Sequence, residues 1–229
     1  MNSKLAHLAR GYTDSNNPQS FASRLRAKRI GPLLRLIEAT YVEHGYVSVI
    51  DIGGTIQYWN IVPAEYLDRY NVRITVANLN EERPRQEGRF EIIAADGCNL
   101  PCADSAFDIA HSNSVLEHVG DWEQMKAFAR EVRRIAKRYY VQTPNFWFPL
   151  EPHFLTPFYH WLPKPTRIWL ILHFTLGHVL KARTLDEAVM AVEGSRLLNL
   201  SMFRALFPEA RIITERLCGL PKSLIAVVD

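Results

Sequence analysis

Val47-Ser48-Val49-Ile50-Asp51-Ile52-Gly53-Gly54-Thr55 decides how this chain is read. Apolar, mostly β-branched residues run into an acid, and two glycines and a threonine follow close behind. A run with so little polar alternation suits a parallel strand buried on both faces. Glycines at its end suit a tight turn where backbone approaches a ligand closely, because no Cβ intervenes. Asp51 then stands at the strand's carboxyl end, able to brace the loop or to hydrogen-bond a ligand.

Outward from this stretch, strands alternate with helices. Upstream, Ile30, Leu33, Leu34, Ile37 and Tyr41 recur at helical spacing, with a helix start or kink at Pro32. Residues 11–20 read as a mobile polar lead-in, and Arg24, Arg26, Lys28 and Arg29 as a solvated face. Downstream, residues 58–70 cross over to a strand at 72–79, and 81–88 read as a charged loop. A third strand at 90–95 ends in Asp96-Gly97-Cys98-Asn99-Leu100-Pro101. A fourth starts at Phe107-Asp108 and breaks into His111-Ser112-Asn113-Ser114, at the sheet edge where open α/β folds take ligands. Asp121 and Gln124 predict a capping box for a helix that ends in the basic cluster Arg133, Arg134, Lys137 and Arg138. A fifth strand spans 139–143. Thr184 and Ser201 are the expected caps of two short later helices. Strands at 210–217 and 223–228 on a short connection imply an antiparallel pair. The predicted fold is α/β: a Rossmann-like, doubly wound, seven-stranded sheet, mostly parallel, with a C-terminal antiparallel strand pair and a helical, aromatic-rich lid.

The length of 229 residues suits one domain, 1–229, with an N-terminal helical segment (1–45) and a lid or substrate insertion (146–207). A formal charge of +3 permits an anionic partner without demanding one. Three cysteines, Cys98, Cys102 and Cys218, form no CxxC pair, so free thiols in a reducing, cytoplasmic setting are expected. Cys98 and Cys102 lack the further ligands of a zinc site, and no metal is predicted. Residues 1–11 show no apolar core of a secretory leader. The stretch 168–179 is apolar nearly all round, flanked by Lys164, Arg167, Lys181 and Arg183. It reads as one helix, too short to span a bilayer, that packs as core or lid or lies peripherally against a membrane.

The ordered set Asp51-Ile52-Gly53-Gly54-Thr55, Asn78, Asp96 to Pro101, and Phe107-Asp108 through Glu117-His118-Val119 resembles the class I S-adenosylmethionine-dependent methyltransferases, in the small-molecule branch called methyltransferase-11. The resemblance covers residues 47–145 by motif and 208–229 by topology. It implies S-adenosyl-L-methionine as cofactor, with Gly53 and Gly54 against its amino-acid portion and Asp51 holding the loop or the amino group. Asn78, with Leu79, would meet the ribose, Asp96-Gly97 the adenine amine, and Ser112 or Asn113 the region of the sulfonium. Two positions depart from the family pattern: Asn78 replaces an acid, and Gln57 stands where a further glycine is usual.

The reaction implied is in-line transfer of a methyl group, in which the protein aligns acceptor and methyl carbon and keeps them dry. A hydroxyl acceptor needs a base; His153 and His118 are the candidates, with His160 and His111 less well placed. The loop at 111–114 lacks the motif of base-modifying enzymes, which argues against nucleic acid. A small metabolite or glycan, methylated on oxygen, is the expected acceptor. The alternatives are a membrane-surface methyltransferase on a lipid-linked sugar or quinone, a non-catalytic S-adenosylmethionine-binding protein suggested by Gln57 and Asn78, and, weakest, a nicotinamide dehydrogenase.

Overall fold

The computed structural model describes residues 21–79, 81 and 83–229, apart from the side chains of residues 21–23. The readings of residues 1–20 lie outside these. Helices α1 (Phe21–Arg29) and α2 (Gly31–His44) lead into β1 (Val47–Ile52). Pro32 occupies the first turn of α2, where its missing N–H costs nothing, and Gly45 ends the helix in the left-handed region, donating to the Tyr41 carbonyl at 2.7 Å. Val47, Val49, Ile50, Asp51 and Ile52 are all buried, as a strand covered on both faces requires.

A 3-10 turn (Ile56–Ile61) and α3 (Ala64–Arg69) cross over to β2 (Val72–Asn78), parallel to β1. β3 (Arg85–Glu87), β4 (Phe90–Ala94), β5 (Phe107–Asn113), a 3-10 turn (Leu116–His118), α4 (Trp122–Ile135) and β6 (Ala136–Pro144) follow. After the lid, α7 (Leu200–Leu206), β9 (Arg211–Leu217) and β10 (Leu220–Val228) close the chain. The sheet order is β3-β4-β2-β1-β5-β6-β10-β9, with β10 antiparallel to both β6 and β9. The chain runs outward from β1 through β2 to β4, then returns to place β5 on the other flank of β1. That reversal opens a crevice at the carboxyl ends of β1 and β5.

The sheet has eight strands rather than seven. The additional β3 pairs antiparallel with β4 inside the segment expected to be a charged loop. Its three residues are all exposed, and a short charged edge strand carries no alternating apolar signature. β6 begins directly after α4, so the basic cluster splits. Arg133 and Arg134 lie in the last turn of the helix, whereas Lys137 and Arg138 are already strand, with Arg138 paired to Glu43. The Asp121–Gln124 capping box forms in both directions, at 3.0 and 2.9 Å. α4 buries Met125, Phe128, Ala129, Val132 and Ile135 against one face of the sheet, while α2 buries Leu33, Leu36 and Ile37 against the other.

The segment expected to form the lid comprises a small hairpin, β7 (Leu150–Glu151) with β8 (Thr156–Pro157), a 3-10 turn (Tyr159–Trp161), α5 (Lys164–His173) and α6 (Leu185–Glu193). It has its own core of Phe154, Tyr159, Ile171, Leu176, Ala188 and Val192. The single helix expected over 168–179 is not formed. α5 begins earlier, with Pro165 in its first turn, and stops at His173. Gly177 then adopts a positive φ of 53°, and a Cβ there would lie 2.5 Å from the Phe154 backbone, so the chain folds back and Leu176 bridges Val179. Thr184 caps α6 as expected, accepting from Glu187 N at 3.2 Å. For α7 the cap is Asn199, not Ser201: its Oδ1 accepts from Met202 N at 3.0 Å, and Ser201 lies inside the helix. Phe203, Leu206 and Phe207 pack into the main core, so α7 belongs with the sheet. No described helix is long and apolar enough to cross a membrane.

Candidate functional site

Two corners of the sheet's carboxyl edge collect the residues singled out from the sequence. The first lies where β1 and β5 part. Gly53 turns the chain with φ +71°, a conformation that disfavours any residue with a Cβ. Gly54 is needed for a different reason, since a Cβ there would sit 1.9 Å from Asp51 Oδ2. Asp51 is fully buried; its Oδ2 accepts from Trp59 Nε1 at 2.9 Å, and its Oδ1 is 2.7 Å from His111 Nδ1. His111, also fully buried, stacks on Tyr140 and lies 3.3 Å from the Tyr58 hydroxyl. Burial pushes the Tyr58 phenol up, and Tyr140 beside it adds to this. His111 is thus locked into the foundation of the loop.

Above this network lies a cavity of about 200 Å³, lined by Arg26, Asp51, Gly53, Gly54, Thr55, Tyr58, His111, Asn113 and Ser114. Ser114 holds φ +57°, unusual for a residue with a side chain, and its hydroxyl donates to Gln142 Oε1 at 3.0 Å. Ser112 is not among the residues lining the cavity; it is buried and donates to the Ile52 carbonyl at 3.1 Å. Asn78 Nδ2 reaches the Gly54 carbonyl at 3.3 Å, joining the end of β2 to the glycine turn. Leu79 is 66% exposed. Asp96 and Gly97 lie at the end of β4 outside this cavity. Asp96 Oδ1 accepts from Cys98 N at 2.8 Å in a local turn, and a Cβ on Gly97 would press on Ile52 and Phe128 at 2.9 Å.

Arg26 and Arg29 depart from the expected solvated face, to which only Arg24 and Lys28 conform. Arg26 lines the cavity, and burial, with Arg29 beside it, lowers its pKa. Arg29 donates to Asn113 Oδ1 at 2.6 Å and pairs with Glu215 of β9 at 3.1 Å. The spacing of three, one helical turn, was the available signal. The partly buried acid that makes it meaningful lies 186 positions away.

The second corner lies under the lid. His118 and His153, 35 positions apart, meet with their Nε2 atoms 2.9 Å from each other. His118 Nδ1 is 2.6 Å from the Gly194 carbonyl, and His153 Nδ1 is 2.7 Å from Glu151 Oε1. Glu151 Oε2 accepts from the backbone N–H groups of His153 and Phe154 at 2.7 and 2.6 Å, which fixes the carboxylate rigidly. Glu117 is buried beside the pair; its Oε2 accepts from Thr143 at 3.0 Å, and its Oε1 has no partner among the described residues. A cavity of about 370 Å³ opens on the lid side, lined by residues that include Phe146, Glu151, Phe154, His160 and Arg167. His160 is tied to the Phe146 carbonyl at 2.7 Å, and burial lowers its pKa.

Residues 54–139 match the family described as a methyltransferase domain. Over 117 residues the chain is 26% identical to the uncharacterised protein Rv1509 of Mycobacterium tuberculosis H37Rv, a match that covers 48% of this chain and 40% of that protein. The same match occurs in strain CDC 1551. The chain thus matches less than half the length of these curated relatives. Among solved structures, the PH0226 protein of Pyrococcus horikoshii OT3 is similar over 99% of this chain and 98% of its own, with a TM-score of 0.55 and 14% identity. The magnesium protoporphyrin IX methyltransferase of Synechocystis PCC 6803, solved with bound SAH, covers 90% of this chain and 85% of its own at a TM-score of 0.49 and 11% identity. Domain match and fold agree with the motifs at the ends of β1, β4 and β5: over residues 54–139 the chain is similar to methyltransferase domains, and its overall fold is similar to that of the PH0226 protein.

Proposed function

We propose that this protein transfers the methyl group of S-adenosylmethionine to an oxygen of a small metabolite or glycan. The observation that carries this reading is the adjacency of the two corners. A single loop, from Asn113 to His118, runs from the cavity beside the glycine turn to the histidine pair under the lid.

The first corner suits the cofactor chemically. Arg26 offers a guanidinium to a carboxylate, and the turn at Gly53-Gly54 brings backbone to the cavity wall. Asn78, Leu79, Asp96 and Gly97 would take the ribose and adenine at the ends of β2 and β4. S-adenosylmethionine supplies an electrophilic methyl group on a sulfonium, and this chain's residues do the rest. Asp51, clamped by Trp59 and His111, keeps the turn in shape. The lid, with its own apolar core, keeps water from the acceptor. The His118–His153 pair, oriented by Gly194 and Glu151, is placed to govern the acceptor's hydroxyl proton.

A screen of hydroxyl-bearing metabolites and glycans with methyl-labelled cofactor tests the proposal. His153→Ala should lower turnover about 10²- to 10⁴-fold, the range for loss of an acid–base group, while cofactor binding persists. Equal turnover in the variant would remove His153 from the chemistry.

A second reading has its own observation. Trp147, Phe158, Trp169 and Phe174 on the lid are 57, 53, 51 and 50% exposed. Such aromatics suit the headgroup zone of a bilayer, and the acceptor would then be a lipid-linked sugar or quinone. Co-sedimentation with phospholipid vesicles, lost in a Trp169→Ala, Phe174→Ala double variant, would favour it. Protein left wholly in the supernatant would eliminate it.

A further inference from the structure

We propose that Glu117, His118 and His153 form a binding site for one divalent first-row transition metal ion of the zinc class. Their ligand atoms all lie within 4.8 Å of one another. The hydrogens on the two rings make the first demand. A carbonyl and a carboxylate only accept, so Nδ1–H of His118 must donate to Gly194 O, and Nδ1–H of His153 to Glu151 Oε1. In neutral rings both Nε2 atoms then carry lone pairs, and these face each other across 2.9 Å. Two lone pairs at that separation repel unless a positive charge lies between them.

Glu117 adds a second, independent demand. Its carboxylate is 1% exposed, and Oε1 has no partner among the described residues. Leaving a buried carboxylate oxygen unpaired is costly. A single proton shared by the imidazoles relieves their repulsion but does nothing for this oxygen. A divalent cation answers all three atoms at once.

The geometry also fits. Two nitrogens bound to zinc at about 2.05 Å stand about 3.3 Å apart at the tetrahedral angle, a few tenths beyond the separation found. Each ring is oriented from behind by an acceptor on Nδ1, the arrangement that fixes tautomer and direction in metal-ligating histidines. Two imidazoles and one carboxylate favour zinc and its neighbours over magnesium or calcium, which prefer oxygen ligands throughout. Three protein ligands with an exposed side at His118 leave a position for a further oxygen, as catalytic sites do. The site stands on this geometry alone. Its use, holding an acceptor oxygen and easing loss of its proton, rests on the methyl-transfer reading. With the cation bound, the two imidazoles would act on that proton by holding the cation, and the loss expected of His153→Ala would be the loss of a ligand.

The test uses the full chain, freed of metal by dialysis against chelator and titrated with Co²⁺ as the probe, without cofactor or acceptor. One equivalent should bind and give visible d–d absorption. His118→Ala and Glu117→Gln should weaken binding at least tenfold, and Glu151→Gln about 10- to 100-fold, as loss of an outer-shell partner does. His44→Ala, an exposed histidine outside the cluster, should change nothing. His118 is exposed, so its truncation leaves the fold intact, and circular dichroism confirms this for each variant. Absence of stoichiometric binding, or binding unchanged in folded His118→Ala, would overturn the proposal. Either result is independent of whether the protein methylates anything.

Discussion

The two corners of the carboxyl edge hold similar groups in opposite conditions. At β1 a buried acid, Asp51, has both oxygens engaged, by Trp59 and His111. At the lid a buried acid, Glu117, has one oxygen engaged and one unpaired, beside two imidazoles that face each other. The first arrangement is complete in the free protein and works by being rigid. The second is incomplete without a ligand, and such incompleteness in a native core marks a place where something binds. Stability should therefore respond in opposite directions to equivalent substitutions.

The largest effect is expected from Asp51→Ala. It strands two buried donors, Trp59 Nε1 and His111 Nδ1, at about 1–3 kcal/mol each, and should lower the denaturation midpoint sharply. Gly54→Ala follows. Its Cβ collides with the Asp51 carboxylate, and overpacking of this kind costs about 1–3 kcal/mol; chemical denaturation should register that loss together with weakened cofactor binding. Glu117→Gln is the sharpest contrast. In metal-free protein it removes a buried, half-paired carboxyl, so stability should hold or rise by up to about 1 kcal/mol. A loss as large as that of Asp51→Ala would erase the distinction between the corners.

The smallest expected effect is a pH dependence at the bridge between α1 and β9. Burial works against the Glu215 carboxylate, but Arg29, Ser223 and Lys222 hold it below the usual range. A carboxylate lowered in the folded chain contributes its stability fully above the unfolded value, near about 4.3, and loses it as pH falls through the folded value. Glu215→Gln should therefore flatten the acid limb of the stability profile below about pH 4.3. A variant with an unchanged acid limb would show that the pair is stability-neutral.

Much of the first corner was legible because its signals are local. The apolar run at 47–52, the glycine pair, the strand-end acids and the Asp121–Gln124 box all lie within short windows, and parallel strands declare themselves by continuous apolarity. What escaped depends on partners far away in the chain. Arg26 and Arg29 look like a solvated face until Glu215 and Asn113 are brought to them. The additional strand β3 is too short and too charged to carry a period. The run 168–179 is apolar enough for one helix, but the close approach of Gly177 to the Phe154 backbone, which leaves no room for a Cβ, is a tertiary fact. The absence of metal was inferred from the cysteines. A site built from Glu117-His118 and a histidine 35 residues later, on the far side of β6, has no fixed spacing to reveal it.

The central claim is that the corner at β1 and β5 binds S-adenosylmethionine. Calorimetric titration of the folded chain with S-adenosylmethionine and with its demethylated product tests it most directly, beside Asp96→Ala and His153→Ala. The account predicts binding of both compounds near about 1 µM, roughly −8 kcal/mol, weakened at least tenfold by Asp96→Ala and unchanged by His153→Ala. No binding of either compound to the folded wild-type chain would contradict it.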